Sequence, residues 1–594
     1  MSKRPSEEYQ QRLSAREALA RGHEASHRRL GTIRLLLAAG IVVLAWFAFY
    51  ARALSAWWLL VPLAAFVAVV SYHYTVRRAW QRAERAVGFY QRGLARIEDR
   101  WSGTGATGER FDEPHHVYAS DLDLFGKGSL FQLLSSARTR MGEETLASWL
   151  LNPASIQTVR ERHVSIADLR ERIDLREDVG VLGGSSSAGV KPEALLAWAE
   201  TPNSLSSAPA YWAALLLPVL AIVGAIIWNV WTIRTPFLLV IAIEAVVLSA
   251  FAARLKQVLQ GTEAAFEDLK LFAAVLTRIE AEPFQAEPLK QIVARLSSHT
   301  KTASRTIASL ANVVGFMEAR RNPILAVLSV PLMYPLNTAL GAERWRKAHG
   351  AAVRQWVSAV GEIEALLSIA AYSYEHPDDP LPEIVEGTPR FEGTGLGHPL
   401  LAAAHCVRND ASIGGTARVL LVSGSNMSGK STLLRTVGIN TVLAMAGAPV
   451  RAARLQLTPL QVGASIRIND SLHEGSSRFY AEITRLRQLL ELTNGPIPLL
   501  FLLDELLQGT NSNDRRIGAE GIVKAFVERQ AIGLISTHDL ALTHIGGLDA
   551  GSLHNVHFQD EIQNGRMKFD FTLREGVVTK SNGVELMRSV GLDV

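Results

Sequence analysis

The stretch Arg418-Val-Leu-Leu-Val-Ser423, followed at once by Gly424-Ser-Asn-Met-Ser-Gly-Lys-Ser431, decides the fold. The first six residues are a short apolar, β-branched run of the kind that forms a buried parallel strand. The next eight separate two glycines by four residues and then add Lys and Ser, the pattern of a loop that cradles phosphates and opens a helix, here from Thr432 to about Ala446. Gly424 and Gly429 permit a backbone whose N–H groups face the phosphates. Lys430 brings a point charge to the β and γ oxygens, and the Ser431 hydroxyl is placed to ligate Mg²⁺. A chance glycine-rich turn would not combine strand, loop and helix in this order.

Two further strand ends lie downstream. Pro498-Leu-Leu-Phe-Leu-Leu503 runs into Asp504-Glu505, where a strand-terminal acid suits magnesium and the next carboxylate can deprotonate or orient an attacking water. Asp504 is therefore the expected metal ligand and Glu505 the expected general base. Alone, the two acids would read as a solvated turn. The run Ile532 to Ser536 ends in Thr537-His538-Asp539 and sets His538 at the same sheet edge, within reach of a γ-phosphate. The catalytic set predicted is Lys430, Glu505 and His538.

These residues resemble the MutS family. Gly424 to Thr432 (GSNMSGKST) is very similar to that family's phosphate loop, its uncommon Asn-Met pair included, with Ser425 and Ser428 in place of the usual Pro and Gly. On this resemblance the nucleotide cradle comprises Gly424, Ser425, Asn426, Met427, Ser428, Gly429, Lys430, Ser431 and Thr432. Leu502 to Asp514 (LLDELLQGTNSND) resembles the family's Asp-Glu strand end with its Gly-Thr, and Glu474 to Glu482 its Ser-x-Phe-x-x-Glu signature, through Ser477, Phe479 and Glu482. His398-Pro399 and Asn409-Asp410 resemble landmarks at the entry to the ATPase, Asn409 and Asp410 near the adenine pocket. Phe569 to Leu592 resembles the closing helical dimerisation element, and Leu130 to Pro153 and Glu362 to Tyr374 resemble core helices.

The resemblance implies ATP and Mg²⁺ as cofactors and a homodimer with composite sites, Ser477 of one copy approaching the γ-phosphate held by the other. It implies a conformational switch coupled to mismatched, branched or damaged DNA. The expected fold is an α/β P-loop NTPase domain of the ABC/MutS type joined to an all-α, MutS core-like lever domain with two transmembrane helical hairpins. The chain departs from soluble members: no Phe-x-Glu wedge precedes the core, no nuclease domain is expected beyond the ATPase, and a hairpin interrupts the core helices. These departures weigh against direct mismatch reading. They leave open a membrane mechanochemical or transport-coupled ATPase with no nucleic-acid partner.

The hairpins come from composition. Of 594 residues, 48% are hydrophobic while 20% are charged, so apolar matter is concentrated. Leu35 to Ala51 and Ala53 to Val76 are uncharged stretches split by Arg52, and Tyr211 to Trp231 and Thr235 to Ala253 repeat the arrangement. A hydrocarbon core about 30 Å thick needs roughly 20 helical residues. Trp46, Trp57, Trp58, Trp212, Trp228 and Trp231 are half of the twelve tryptophans, several near segment ends as an interfacial belt requires. A signal peptide is discounted because a polar stretch precedes the first segment and a second follows directly. Arg28, Arg29, Arg34, Arg77, Arg78, Arg82, Arg85, Arg254 and Lys256 flank the hairpins on one side, which puts both termini and the ATPase in the cytoplasm of a four-helix, multi-pass protein of the cytoplasmic membrane.

The resulting division is a basic tail (1–32), hairpin one (33–76), a helical linker (77–118), a core-like helical segment (119–203), hairpin two (204–253), a long-helix lever (254–378) and the ATPase (379–594). A fifth apolar run, Ile324 to Leu340, holds Pro331 and Pro335 and reads as a buried or membrane-skimming element. Glu244, within the fourth segment, is either a hydrogen-bonded helix contact or part of an ion or proton path. The net charge of +4 does not by itself announce a nucleic-acid binder. DNA contacts, if present, would use the basic run Lys290, Arg295, Lys301, Arg305, Arg320 and Arg321, which reads equally as a solvated or headgroup-facing helix. One cysteine, Cys406, excludes an internal disulfide and a multi-thiolate metal site.

Overall fold

The computed structural model describes residues 4–182, 192–202, 205, 208–263, 266–297, 302–319, 329–467, 478–543, 548–549, 551–563 and 566–578. The chain forms two compact units, one of residues 1–104 with 173–185 and one of 105–172 with 186–594.

The smaller unit is a helical hairpin with a third helix at its polar end. Helix Pro5–Ala45 starts with Pro at its first turn and Glu7 and Glu8 beside the positive end of its dipole. It passes through a π-turn, Trp46–Tyr50, and the chain returns as Leu60–Ile97 after Ser55 caps the intervening turn. The apolar half of this hairpin is bare of protein, with Leu35 72% and Trp57 78% exposed. The polar half is packed: Tyr9 meets Tyr90 edge-on, Tyr90 donates to Glu177 of helix Ile173–Leu182, and Arg16 pairs with Glu177 at 2.8 Å.

The larger unit has a helical body built on one spine, the 42-residue helix Tyr334–Glu375, about 63 Å long at 1.5 Å per residue. Helices Arg140–Leu151, Ile156–Arg170 and Ala303–Ala319 pack along it. The core-like segment Leu130 to Pro153 holds two helices, Leu130–Leu134 and Arg140–Leu151, and the Thr139 hydroxyl caps the second by accepting from the Gly142 N–H. Of the apolar run 324–340, residues 324–328 lie outside the described residues; Leu336, Ala339 and Leu340 are buried on the first turns of the spine.

The second hairpin consists of Ala208–Trp231 and Thr235–Ala250. Among the described residues, Pro5–Tyr50, Ala56–Ile97 and Ala208–Trp231 are long and apolar enough to cross a membrane, whereas Thr235–Ala250 is apolar but shorter. Its helix stops at Phe251, where the backbone turns to φ −96°, ψ 0°, and resumes as Ala252–Glu263.

Among the described residues, the C-terminal part holds ten strands. β1 (Glu383–Ile384), β2 (Arg390–Leu396), β3 (Asn409–Gly414) and β5 (Arg454–Leu457) form a four-stranded sheet in the order β1-β5-β2-β3. β4 (Val419–Ser423), β6 (Gln461–Ser465), β7 (Leu499–Asp504), β8 (Ile532–Thr537), β9 (Leu553–Gln563) and β10 (Arg566–Glu575) form a six-stranded sheet, β10-β9-β4-β8-β7-β6. β4, β7 and β8 are continuous apolar runs because helices cover both faces of a parallel sheet. Their core includes Val419, Leu421, Phe501, Leu503, Phe526 and Ile535. The opening of the expected closing helical element is instead β10: Phe569, Phe571 and Leu573 alternate as a strand requires, and residues 579–594 lie outside the described residues.

Candidate functional site

Parallel register brings three strand ends together, since Ser423 of β4 pairs with Thr537 of β8 and Ser536 of β8 with Asp504 of β7. The chain leaves β4 through Gly424, whose φ of +151° and close approach to the Phe558 carbonyl suit glycine alone. It re-enters helix Lys430–Ala446 through Gly429 in the left-handed region at φ +106°. Lys430 thus opens the helix, and its Nζ donates to the carbonyls of Gly424 (2.9 Å) and Ser425 (2.8 Å). Burial lowers the Lys430 pKa, while Glu505 and Asp504 act in the opposite sense.

The loop's inner surface is polar and under-satisfied. Ser425 Oγ and Ser428 Oγ are buried with no hydrogen-bond partner among the described residues. Two such hydroxyls beside an ammonium and a helix N-terminus form a donor set that fits phosphate oxygens. Ser431 is half-buried; Asn426, Met427 and Thr432 are exposed.

On the acidic side, Asp504 accepts from the Ser536 hydroxyl, which fixes one carboxylate oxygen and leaves the other for a cation. Ser431 and Asp504 are the pair that could hold Mg²⁺. Glu505, held at φ +51°, anchors its N–H on the Ser536 carbonyl at 3.2 Å. Its carboxylate takes the Gln508 amide on one oxygen and faces His538 Nδ1 at 3.3 Å on the other. Lys430, Ser431, Asp504, Glu505 and His538 therefore gather at one sheet edge. Glu482 accepts the Leu507 N–H at 2.6 Å, and Phe479 lies against Gly509, so helix Arg478–Leu492 is fastened to the loop after β7. Ser477, expected to act across a dimer, lies outside the described residues.

Beside Gly429 and Thr432 opens a cavity of about 180 Å³ whose walls include Leu396, His405, Val407, Asn409, Phe558 and Phe571. Asn409 is pinned at both ends: Nδ2 donates to the Phe571 carbonyl at 2.9 Å, and Oδ1 accepts from the Leu573 N–H at 2.7 Å. It spans the register shift in β10 and so sets the Phe571 ring at the cavity. Asp410 points to the other face of β3 and accepts the Gly395 N–H at 2.7 Å. His398 is buried, and desolvation pushes it down to about 4, which keeps it neutral. Sequence reasoning missed Phe558 and Phe571, which reach the loop only through pairing of β9 and β10; the alternation of apolar residues over 569–573 was the available signal.

Residues 420–593 match the family model of MutS domain V. The chain is 32% identical over 258 residues to "DNA mismatch repair protein MSH6" of Arabidopsis thaliana, which covers 40% of this chain and 19% of that protein. It is 33% identical over 211 residues to "Endonuclease MutS2" of Thermus thermophilus, covering 34% of this chain and 26% of the other. It is 33% identical over 259 residues to "DNA mismatch repair protein MutS 2" of Halobacterium salinarum, covering 42% of this chain and 29% of that one. The chain thus spans less than a third of the length of each of these curated relatives.

Proposed function

The chain belongs to the MutS family through its C-terminal domain, and from that premise we propose that it is a membrane-anchored, Mg²⁺-dependent ATPase that works as a dimer. The observation carrying this reading is the convergence of Lys430, Asp504, Glu505 and His538 on a loop with two unpartnered buried hydroxyls, next to an aromatic-walled cavity of nucleobase size. Lys430, Ser425 and Ser428 hold phosphate oxygens; Phe571 and Phe558 stack on the base. Ser431 and Asp504 would hold Mg²⁺, which would supply positive charge against the phosphate oxygens. Glu505 orients or deprotonates the attacking water, and His538 keeps the Glu505 carboxylate aimed. Ser477 of the second copy completes the site, and the apolar hairpins moor each chain in the bilayer.

A continuous set of contacts supports transmission from this site to hairpin two. On the loop helix, Asn440 accepts the Arg451 N–H at 2.8 Å; Arg451 pairs with Asp379 at 3.2 Å; Asp379 accepts from the Tyr372 hydroxyl at 3.0 Å near the spine's end. At the spine's other end the Asn337 amide donates to the Ala214 carbonyl at 3.2 Å. Pro218 lacks the N–H that this carbonyl would otherwise receive within Ala208–Trp231. One rigid helix thus joins the nucleotide domain to a proline break in the hairpin.

The partner most in keeping with the names of the relatives is DNA, in a mismatch-repair-like or maintenance role. One observation favours the reading without nucleic acid: within the basic run, Arg295 is paired with Glu362, and Lys290 lies 3.6 Å from Glu287. Lys301, Arg320 and Arg321 lie outside the described residues. ATP hydrolysis by the full chain in lipid nanodiscs, with duplex, mismatched, branched and no DNA, separates the two. Stimulation by a DNA form supports the first; indifference to all of them, with stimulation by lipid or a small solute, selects a mechanochemical or transport-coupled ATPase. Absence of hydrolysis in every condition sinks both.

A further inference from the structure

Glu244 is the only fully buried residue of helix Thr235–Ala250. Neither carboxyl oxygen reaches solvent or has a hydrogen-bond partner among the described residues. Its direction follows from helix geometry. Gly224 of the facing helix touches the backbone of Phe237, a Cβ there lying 3.0 Å from the Phe237 Cα. Glu244 sits seven residues beyond Phe237, two turns on and on the same face. The carboxyl is therefore pressed against Ala208–Trp231, whose buried residues are Ala210, Ala214, Ala221 and Gly224. That helix has no charged residue, and Tyr211, 46% exposed, is its one titratable group. On the following helix, Ala252–Glu263, Arg254 and Lys256 lie ten and twelve residues further along the chain, beyond the break at Phe251, and both are exposed.

A carboxyl in such a place needs a positive partner, and none of the described residues supplies one. A metal ion is a poor occupant, because hard cations demand several oxygen ligands at once. The backbone carbonyls here are committed to their helices, and the one released by Pro218, at Ala214, is taken by Asn337. A proton needs a single oxygen. We propose that Glu244 is a proton-binding site inside the second hairpin. The inference rests on the reading of that hairpin as bilayer-embedded and is independent of any role for DNA.

The test uses the full chain in liposomes and a fluorescent hydrophobic carbodiimide, which dissolves in the bilayer and attacks carboxyl groups that carry a proton there. One label per chain is expected, absent from Glu244→Gln, with the labelling rate falling about tenfold per pH unit once the site loses its proton. Sodium or potassium at fixed pH is expected to give no protection. Equal labelling of Glu244→Gln, no labelling of the parent chain, or protection by either cation overturns the proton site. Flotation with the liposomes after alkaline carbonate extraction keeps the failures apart: a chain that floats but does not label removes the proton site alone, whereas one that does not float removes the membrane reading as well.

Discussion

Glu364 lies inside the spine helix and is fully buried where Arg140–Leu151 crosses it. Its Oε1 accepts the Arg138 N–H at 3.1 Å, and its Oε2 meets the Thr139 hydroxyl, so the side chain holds the N-cap of the crossing helix. Burial raises the carboxyl from 4.5 to about 7, against the opposing pull of these hydrogen bonds and of Arg138. The native state therefore holds a proton that the unfolded chain has released between those two values. Stability falls as pH rises from about 4.5 to about 7, and above pH 7 the ionised carboxylate costs about 3 kcal/mol relative to its protonated form. Glu364→Gln keeps an acceptor for Arg138 and adds a donor for Thr139, so it imitates the protonated acid at every pH. The substitution is expected to be near neutral at pH 5 and to stabilise the crossing by about 1 to 3 kcal/mol at pH 8, the lower figure allowing for imperfect amide geometry. Amide hydrogen exchange over 140–151 in the full-length protein, corrected for intrinsic rates at each pH, reads the difference. Equal destabilisation at both pH values would refute the reasoning, because folding would then leave the protonation of the carboxyl unchanged.

Three other substitutions address the nucleotide site and its reach. Glu505→Gln is expected to bind ATP but not turn it over, trapping a dimer whose protease sensitivity in residues 254–375 differs from that of the nucleotide-free chain; an unchanged digestion pattern argues against transmission along the spine. Phe571→Ala removes an aromatic wall of the cavity and is expected to weaken fluorescent-ATP binding by about 1 to 3 kcal/mol, the worth of one base–aromatic stack; unaltered affinity would place the base elsewhere. Asn337→Ala leaves the Ala214 carbonyl unpaired, at about 1 to 3 kcal/mol. It should leave ATP turnover intact while abolishing any ATP-dependent change in a spin label at Ile233, so a preserved change would show that the contact carries no signal.

What could be read from the sequence was what is local. Strand, loop and helix around Gly424–Ser431 follow one another without a break, and the strands ending at Asp504 and Thr537 announce themselves as apolar runs closed by acids or Thr-His. The cavity was not legible, because Val407, Phe558 and Phe571 come from three segments that only sheet pairing unites. Asn409 was assigned to the base pocket by resemblance, yet its two hydrogen bonds are to the backbone of β10; its part is to fold the strand that supplies the ring. Apolar length alone also could not reveal that the fourth segment bends at Phe251, since nothing in its composition differs between the helix and the break.

The two hairpins differ in what holds their polar ends, and this bears on which of them a motor can move. The first is stapled within its own unit: Tyr90, Glu177 and Arg16 interlock, and His27 and His73 meet at 2.7 Å beneath Trp80. Shifting its helices against each other breaks several buried polar contacts together, so it suits a fixed mooring. Among the described residues, the polar contacts of the second with the spine are one amide on one freed carbonyl, at a proline where the helix already lacks a bond, and Arg344 over the Tyr211 ring at 5.6 Å. Because Pro218 has no N–H to take that carbonyl back, moving Asn337 away leaves it unpaired, at about 1 to 3 kcal/mol, so the helix is coupled to the spine through this contact. A displacement of the spine would therefore act first on Ala208–Trp231, the helix against which Glu244 is buried. On the proposed reading, anchoring and response to nucleotide would fall to different pairs of apolar helices.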